Sequence, residues 1–517
     1  MWSVRRLLGF GVIGGSAIFT AASFRANDGD LDSVGIVRLG RATSTVFSIG
    51  LMYKSRLKNH GLDKESQEYK DLKSQVHQMG ADKLLQLCCL NKGVYIKVGQ
   101  HIGALDYLLP KEYVNTMKVL HSHAPKHSIT DVYKVLKEEF KKDPSEIFSS
   151  FDEEPLGTAS LAQVHKATLH DGTTVAVKVQ HRYVRGNSLV DMKTMELLVK
   201  IVSLVFPDFK FQWLVDETKK NIPKELDFNA EGKNAEKISE MFKDKTWLKI
   251  PKIHWDLTTP RVLTMDFVEG GQVNDLEYIQ QNKMNPLEIT NKLGRLYSEM
   301  IFINGFVHSD PHPGNILVQK HGKHVNLVLL DHGLYAELSN DFRYEYSQLW
   351  LSILKVDRNA MRHHSINLGI VGNLYGLFAC MITGRPWESV LSGIDKVSHS
   401  QKEKDQFQKQ LPNVLPQISD VLQKVNRQML LIFKTNDLLR GIEYTLQTGS
   451  NMLSFMTMSK CCINAVHKEE FDKASTKYRK LQVFISRQWL LFKLKVYYSY
   501  LSLRRRDFYG LLNVLSS

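Results

Sequence analysis

Two acidic residues and one amide, placed around a short apolar strand, have the types and spacing that phosphoryl transfer requires. Asp310 and Asn315 lie five residues apart on a loop that contains two prolines, and Asp331 follows the apolar run Leu327–Leu330. In phosphoryl transfer one carboxylate positions the acceptor, while an amide and a second carboxylate hold Mg²⁺ against the phosphates. The sequence therefore predicts that Asp310 is the catalytic carboxylate and that Asn315 and Asp331 bind Mg²⁺. The alternative is a loop before a buried strand that carries acids by coincidence.

A strand upstream carries a small residue and an ammonium group side by side. In Thr174–Val179 three valines share one face, whereas Ala176 and Lys178 share the other. The small-residue stretch Gly157–Ser160, between two predicted strands, precedes it. A small residue can admit an adenine ring and a lysine can hold phosphates. On its own the pattern also fits an edge strand with a solvated lysine, but its position before Asp310 favours a nucleotide site.

The predicted helical region 184–245 contains three acidic residues that bear on Lys178. In a helix Asp227 and Glu231 are four residues apart and share a face, while Glu225 lies to one side. If the nucleotide site is assembled, an acid of this region must neutralise Lys178. By spacing alone, a solvated helix face is the simpler interpretation. The strand lysine and these acids are much farther apart in sequence than in an ordinary kinase, which indicates an insertion.

Composition restricts the partners of this 517-residue chain. Hydrophobic residues make up 43% and charged residues 24%, as in globular proteins. Sixty-eight Lys and Arg against 54 Asp and Glu give a net charge of +14, which favours an anionic partner. Without zinc-finger spacing, a recognition helix or an aromatic-basic RNA motif, we predict anionic membrane lipid and no nucleic acid. The five cysteines lack Cys-x-x-Cys spacing and predict neither a disulfide framework nor a metal site.

The first 25 residues have the features of a targeting or anchoring segment. Arg5 and Arg6 precede Leu7–Phe24, which carries no charge, and the first acid is Asp28. As a helix this run would span about 27 Å, slightly less than the hydrocarbon core of a membrane. A mitochondrial presequence is favoured, and a secretory signal and a cytosolic membrane anchor remain alternatives. Whether the segment is cleaved is left open.

The predicted fold class is α+β. The periodicity predicts helices over residues 30–150, and strands from residue 151 with two more around Lys252–Asp256 and Arg261–Phe267. An almost purely helical region follows residue 334, with a break at Gly441. Near its end Phe484–Leu503 mixes aromatic and basic residues, and it is either a helix on a membrane surface or a terminal helix packed on the lobe. The predicted domains are a leader (1–25), a helical extension (26–150), a small lobe (151–270) and a helical lobe (271–517).

Taken together, these elements resemble the aarF-domain-containing (UbiB-type) atypical kinases. Motifs of that family match this chain, in the family's order, over roughly residues 80–335. The matching positions are Lys97–Gln100, Gly157–Ser160, Lys178, Glu225–Asp227, His308–Asn315 and Asp331–Gly333. The resemblance implies a protein-kinase-like fold: a small N-lobe with an antiparallel sheet, a large helical C-lobe and a helical N-terminal extension.

The resemblance also implies roles for individual residues. Lys178 would contact the nucleotide phosphates with Glu231 as its helix partner, and the hinge Met265–Gly270 would meet the adenine. Lys97 and Gln100 would fold over the active site and interact with Glu225 and Asp227, where a protein kinase binds a peptide. The implied ATP-binding positions are Gly157, Thr158, Ala159, Ser160, Val164, Lys178, Glu231, Asp266 and Val268.

Two departures from known motifs bear on the chemistry. Gly157 and Thr158 stand where the family has two alanines, and an extra glycine lets backbone approach phosphate more closely. His312 stands where a protein kinase keeps a lysine. A histidine of ordinary pKa, about 6.5, is mostly uncharged near neutral pH, so transition-state charge would have one fixed cation fewer. This substitution predicts slow chemistry.

The leading functional prediction is an ATP- and Mg²⁺-dependent atypical kinase or ATPase at a mitochondrial membrane that supports lipid or quinone metabolism. Inner-membrane association is expected, and mitochondrial proteins are further candidate partners. One alternative is a kinase-fold scaffold in which the nucleotide only stabilises the shape that partners need. Another is a soluble phosphotransferase of the antibiotic-kinase type, which the leader and the Lys97 and Glu225 elements disfavour. Neither the phosphoryl acceptor nor the oligomeric state follows from the sequence.

Overall fold

The structure is a computed structural model that describes residues 31–57, 63, 66–103, 109–121, 126–205, 212–309, 312–370, 374–393, 421, 425–448 and 452–504. The predicted leader and the predicted catalytic Asp310 therefore lie outside the described residues. The chain divides into two compact units. The first comprises Met1–Lys233 and Lys252–Phe267, and the second comprises Asn234–Pro251 and Val268–Ser517.

Helices precede the sheet of the first unit, as the sequence predicts. They are α1 (Gly35–Leu57), α2 (Gln67–Asn91), α3 (Val94–Gly103), α4 (Lys111–Met117), α5 (Ile129–Phe140) and α6 (Pro144–Ile147). Serine side chains start two of them: Ser66 accepts from the N–H of Tyr69, and Ser128 accepts from the N–H of Asp131. The first four helices share a buried cluster whose members include Ala42, Leu87, Ile96 and Met117.

Strands form one sheet in the first unit and two in the second. They are β1 (Phe148–Phe151), β2 (Gly157–Thr158), β3 (Ala162–Leu169), β4 (Thr174–Gln180), β5 (Leu248–Lys249), β6 (Val262–Asp266), β7 (Gly271–Gln272), β8 (Phe306–His308), β9 (Ile316–His321), β10 (His324–Leu329) and β11 (Tyr335–Glu337). The sheet of the first unit is antiparallel throughout, with the order β1-β3-β4-β6 and β2 on β3. The second unit contains β5-β10-β9-β7 and the pair β11-β8.

The remaining helices follow the strand that carries Lys178. They are α7 (Val184–Val205), α8 (Gln212–Glu225), α9 (Phe228–Met241), α10 (Leu276–Gln281), α11 (Pro286–Ser298), α12 (Asn340–Lys355), α13 (Arg358–Asn367), α14 (Tyr375–Thr383), α15 (Trp387–Ser392), α16 (Arg427–Thr445), α17 (Met452–Lys473) and α18 (Lys477–Arg504). A π-helical turn, Glu299–Asn304, continues α11. The large core of the second unit includes buried side chains from α11, α12, α14, α16 and α17. The α+β fold class, with an antiparallel sheet in the small lobe, a helical second lobe and a helical extension, is confirmed.

Three details differ from the sequence prediction. The predicted strand around Lys252–Asp256 is wrong: Ile253 makes only an isolated bridge, and a 3₁₀ turn follows, held by the Thr258 hydroxyl on the carbonyl of His254. The first strand begins at Phe148, slightly before the predicted boundary. Gly441 lies inside α16 and does not break it, because buried residues on this helix anchor it in the core at a glycine cost of about 1 kcal/mol.

No helix among the described residues is long and apolar enough to cross a membrane. The five cysteines are free thiols: Cys89 is partly buried, and Cys88, Cys380, Cys461 and Cys462 are buried. Burial raises the pKa of Cys88, Cys380 and Cys461 to about 12 and that of Cys462 well above its usual value. These thiols therefore belong to the core, as predicted.

Candidate active site

Lys178 lies on the face of β4 that is turned away from α5. The valines on the opposite face of β4 pack against buried residues of α5. Lys178 is paired with Val164 of β3 and Leu263 of β6, and Ala176 is paired with Met265. Because directly paired residues share a face, Val164, Ala176 and Lys178 lie together on one surface of the sheet. This is the arrangement that the alternation in the sequence predicts for a nucleotide-facing surface.

Glu231 is the ion-pair partner of Lys178. The Lys178 ammonium lies 2.7 Å and 2.9 Å from the two carboxylate oxygens, and the side chains are only 12% and 2% exposed. Glu231 lies in the first turn of α9, where the helix dipole favours a carboxylate. The Phe228 ring lies 5.1 Å from the same ammonium. The Lys178–Glu231 pair is thus desolvated, and the helix dipole and the Phe228 ring stabilise it further.

A second buried pair joins Lys97 to Glu225. The Lys97 ammonium on α3 lies 2.9 Å from a Glu225 oxygen at the end of α8, and the side chains are 7% and 11% exposed. The rest of this predicted set is arranged differently. Gln100 donates to the carbonyl of Leu120, and Asp227 accepts from the N–H of Asn229. The structure therefore brings Lys97 and Glu225 together but gives Gln100 and Asp227 other partners.

Gln180, which the sequence patterns did not single out, holds the turn that follows Glu225. The Gln180 amide at the end of β4 donates to the carbonyls of Leu226 and Pro260. Leu226 lies in the turn between Glu225 and Asp227, so this hydrogen bond ties the strand of Lys178 to the turn that connects α8 with α9. A buried glutamine at a strand end has no distinctive sequence signal.

The small-residue stretch Gly157–Ser160 folds as a short strand and a tight turn. The Ala159 N–H donates to the carbonyl of Ala162, and His181 Nε2 donates to the carbonyl of Ala159. The His181 ring stacks on His127 at 3.8 Å. Burial, together with the neighbouring His127, lowers the pKa of His181 to about 3, and burial lowers that of His127 to about 4. Both rings are therefore neutral at physiological pH and support the turn as uncharged groups.

The predicted hinge residues have distinct environments. Asp266 ends β6, and its carboxylate accepts from His254 Nε2 at 2.9 Å while its N–H donates to the carbonyl of Lys252. Val268, which belongs to the second unit, is buried. Thr158 pairs with Gln163 on β3, and Ser160 is buried.

In the second unit the hairpin β9–β10 brings Asn315 and Asp331 to the same end of a sheet. Ile316 pairs with Leu329, and the N–H of Leu330 donates to the carbonyl of Asn315, which extends the ladder by one step. Asn315 therefore lies directly before β9 and Asp331 directly beyond this last bond. Amide and carboxylate oxygens are ligands that suit Mg²⁺, so these two residues fit the predicted role.

Buried histidines orient the backbone around Asp331. His308 is fully buried, and its Nε2 donates to the carbonyl of Asp331 at 2.8 Å. The Asp331 carboxylate accepts from the N–H of Gly333, which fixes the turn after the strand. His332 is also buried and hydrogen-bonds Tyr335 and the carbonyl of Leu329. His308 belongs to a predicted motif but had no predicted role, and its position two residues before Asp310 is the signal that could have indicated one.

His312 holds the short turn that follows it. The N–H of Gly314 donates to His312 Nδ1 at 3.1 Å. Within the described ranges no group of three or more His, Cys, Asp or Glu side chains is placed to hold a metal ion.

Comparison with known proteins gives consistent matches. The model of the ABC1 atypical kinase-like domain matches residues 119–365. AarF domain-containing kinase 1 of Drosophila melanogaster is 58% identical over 97% of both chains. AarF domain-containing protein kinase 1 of Mus musculus is 50% identical over 90% of this chain and 89% of its own length. The ABC1 family protein MCP2 homolog of Schizosaccharomyces pombe is 32% identical over 95% of this chain and 92% of its own.

Proposed function

This chain belongs to the family of ABC1 (AarF-domain) atypical kinase-like proteins, and from that premise we propose that it is an ATP- and Mg²⁺-dependent phosphotransferase or ATPase. The observation that carries the proposal is the buried pair of Lys178 and Glu231. A lysine on a small-lobe strand, fixed by a carboxylate of a following helix, is the arrangement that holds nucleotide phosphates in kinases.

Each residue has a definite task in this proposal. Lys178 binds the nucleotide phosphates, and Glu231 keeps its ammonium in place. Asn315 and Asp331 hold Mg²⁺, which when bound neutralises charge on the phosphates. Asp310 is the carboxylate that orients the attacking hydroxyl or water. His312 stands where ordinary kinases keep a lysine, so the loop has one fixed cation fewer and we expect turnover at the slow end for kinases.

General protein phosphorylation is not the proposed activity. Lys97 is committed to a buried pair with Glu225, and α3 is thereby fastened to the end of α8. In the family this element takes the place of a peptide substrate, so water or a small molecule is the proposed acceptor. We place the activity at a mitochondrial membrane, in support of lipid or quinone metabolism, on the basis of the basic leader and the +14 net charge.

The test is phosphate release from Mg·ATP by the full-length chain, with Asp331→Asn beside it. Loss of release in this variant with an unchanged melting temperature is expected, because the amide weakens metal binding but still accepts from the N–H of Gly333. Asp341→Asn is the matched control, since Asp341 is an exposed acid in the same unit. No release from the wild type, combined with a melting temperature that Mg·ATP still raises, would instead favour the scaffold.

A further inference from the structure

The last described helix, α18, presents two different faces. Its inner face contributes buried Val483 and Tyr498 and packs Leu490, Leu491 and Leu494 against the core of the second unit. Its outer face carries seven large side chains at spacings of three and four residues, each between 53% and 71% exposed. This outer face consists of Tyr478, Leu481, Ile485, Trp489, Phe492, Val496 and Tyr500. The two sequence alternatives for this segment are therefore compatible, because packing uses only one side of the helix.

The charge of α18 restricts what can cover the outer face. The helix contains seven lysines and arginines and no acidic residue. Two copies of this helix would repel each other, because both carry only positive charges beside the apolar face. Helices that pair through such a face have opposite charges there. A partner must therefore be both apolar and anionic.

A basic cavity adjoins the outer face. It has a volume of about 1120 Å³ and is lined by six lysines and arginines against two glutamates. Lys460 lines it, and burial together with nearby Arg295 lowers the pKa of its ammonium. Phe484 lines both this cavity and a shallow apolar groove that contains Trp489 and Phe492. A cationic recess is thus continuous with an aromatic surface.

We propose that the outer face of α18 docks on an anionic phospholipid bilayer, with a lipid headgroup phosphate entering the basic cavity. This inference deepens the membrane role in the proposed function and rests on it only for location. Aromatic and aliphatic residues on an exposed helix face, with basic residues beside them, favour the membrane interface. Trp489, Tyr478 and Tyr500 are of the residue types that favour the headgroup level. Lys493, which lies over the Trp489 ring at 5.0 Å, can extend to the lipid phosphates.

Aromatic content favours a bilayer over an acidic protein helix. Six of the seven outer-face side chains are aromatic or β-branched, and the seven form one continuous line without the alternating charges that fix register in a helix pair. Trp489 and Phe492 stack on each other at 5.8 Å, which makes a flat surface and not a set of separate knobs. A planar lipid interface accepts such a surface without a matching set of holes.

The experiment is co-sedimentation of the full-length chain with phosphatidylcholine vesicles, with and without cardiolipin. The wild type should bind only the anionic vesicles, and Trp489→Ser combined with Phe492→Ser should lower the affinity at least about tenfold, because two apolar side chains leave the interface. The matched control removes two exposed apolar side chains elsewhere in the same unit, with Ile366→Ser and Tyr444→Ser, and should bind as the wild type does. Far-ultraviolet circular dichroism verifies that each variant is folded.

A second variant keeps the apolar surface intact and tests insertion directly. Brominated lipid should quench part of the tryptophan fluorescence of the wild type, and Trp489→Phe should lose that part while vesicle binding persists. The double variant Arg487→Gln and Lys468→Gln, with both changes at the cavity, should bind cardiolipin vesicles more weakly. Inorganic phosphate, added at the same phosphate concentration as the lipid, should not displace the wild type from the vesicles. Competition by inorganic phosphate at that concentration would assign the cavity to a free anion instead of a lipid.

The outcomes separate this proposal from the enzymatic one. Equal vesicle binding by the Trp489 and Phe492 variant, or unchanged quenching in Trp489→Phe, would overturn the assignment to α18. Absence of binding to every vesicle, or binding of α18 to an acidic protein helix alone, would overturn the bilayer as partner. Phosphate release measured without vesicles tests the enzymatic proposal through Asp331. Its result does not depend on whether α18 binds vesicles.

Discussion

The buried pair of Lys97 and Glu225 allows a quantitative test of how α3 is fastened. At 2.9 Å the attraction is about 6 kcal/mol for an effective dielectric constant of about 20, and desolvation offsets several kcal/mol for each ion. We therefore expect a net coupling of about 1–3 kcal/mol. Lys97→Met alone leaves the 11% exposed Glu225 carboxylate without this cation and should cost about 3–5 kcal/mol. Glu225→Gln also removes the anion beside the buried Lys97 ammonium, but it should cost less, because the amide oxygen still accepts a hydrogen bond from that ammonium.

The assay is a double-mutant cycle on the full chain, followed by the unfolding transition of the first unit. The single lysine variant should lower its melting temperature by on the order of 10 °C, and adding Glu225→Gln should recover part of that loss. Lys126 and Glu154 provide the control cycle: their atoms are 2.6 Å apart, but the side chains are 63% and 84% exposed. That pair should show no measurable coupling, since solvent screens it. Additive losses for Lys97 and Glu225 would refute the reasoning, because the pair would then behave as if it were exposed.

Three further predictions concern the first unit. Gly157→Ala should leave the melting temperature unchanged or slightly raised, because an added Cβ meets no atom within 4 Å. The same variant should alter the ratio of ATP to ADP affinity, measured by isothermal titration calorimetry. A drop in the melting temperature would contradict the first expectation. Gly99→Ala should cost about 1–3 kcal/mol by urea unfolding, since its Cβ would collide with buried Leu120, and Leu120→Ala should partly restore it. The free energy of unfolding should fall as the pH drops from about 6.5 to about 4, because the two histidines bind protons in the unfolded chain but remain neutral when His127 and His181 are buried in the folded one. Replacing both with Gln should flatten this pH dependence. An equal slope in that variant would exclude the two histidines as its cause.

Local patterns were sufficient to predict much of the site. The alternation of β4 placed Lys178 on the face opposite the valines, and the apolar run before Asp331 predicted the strand that brings this residue to the end of a hairpin with Asn315. These patterns predict local structure well, because a strand is determined by the alternation of apolar and polar residues within a few positions of the chain. The partner of Lys178 needed more: spacing alone favoured a solvated Glu231, and only the family resemblance selected it.

Long-range contacts were the part that the sequence could not give. The hydrogen bonds of Gln180 to Leu226 and Pro260 join positions that are far apart in the chain, and a glutamine carries no signal for such a role. The expected partners of Gln100 and Asp227 were wrong in this structure for a related reason, since nearer backbone groups satisfy both side chains. Likewise a β-rich run near Ile253 does not become a strand when a turn competes for its backbone.

The buried cysteines allow the local unfolding of each unit to be measured separately. A thiol with a raised pKa is almost entirely protonated at neutral pH, so neither peroxide nor a labelling reagent can attack it until the surrounding structure opens. Cys88 touches the cluster around α3 in the first unit, whereas Cys461 and Cys462 lie on α17 in the second. The rates at which these cysteines become alkylated in the native protein therefore measure two separate local unfolding equilibria. The same protection makes the buried thiols insensitive to redox control as long as the surrounding structure stays folded.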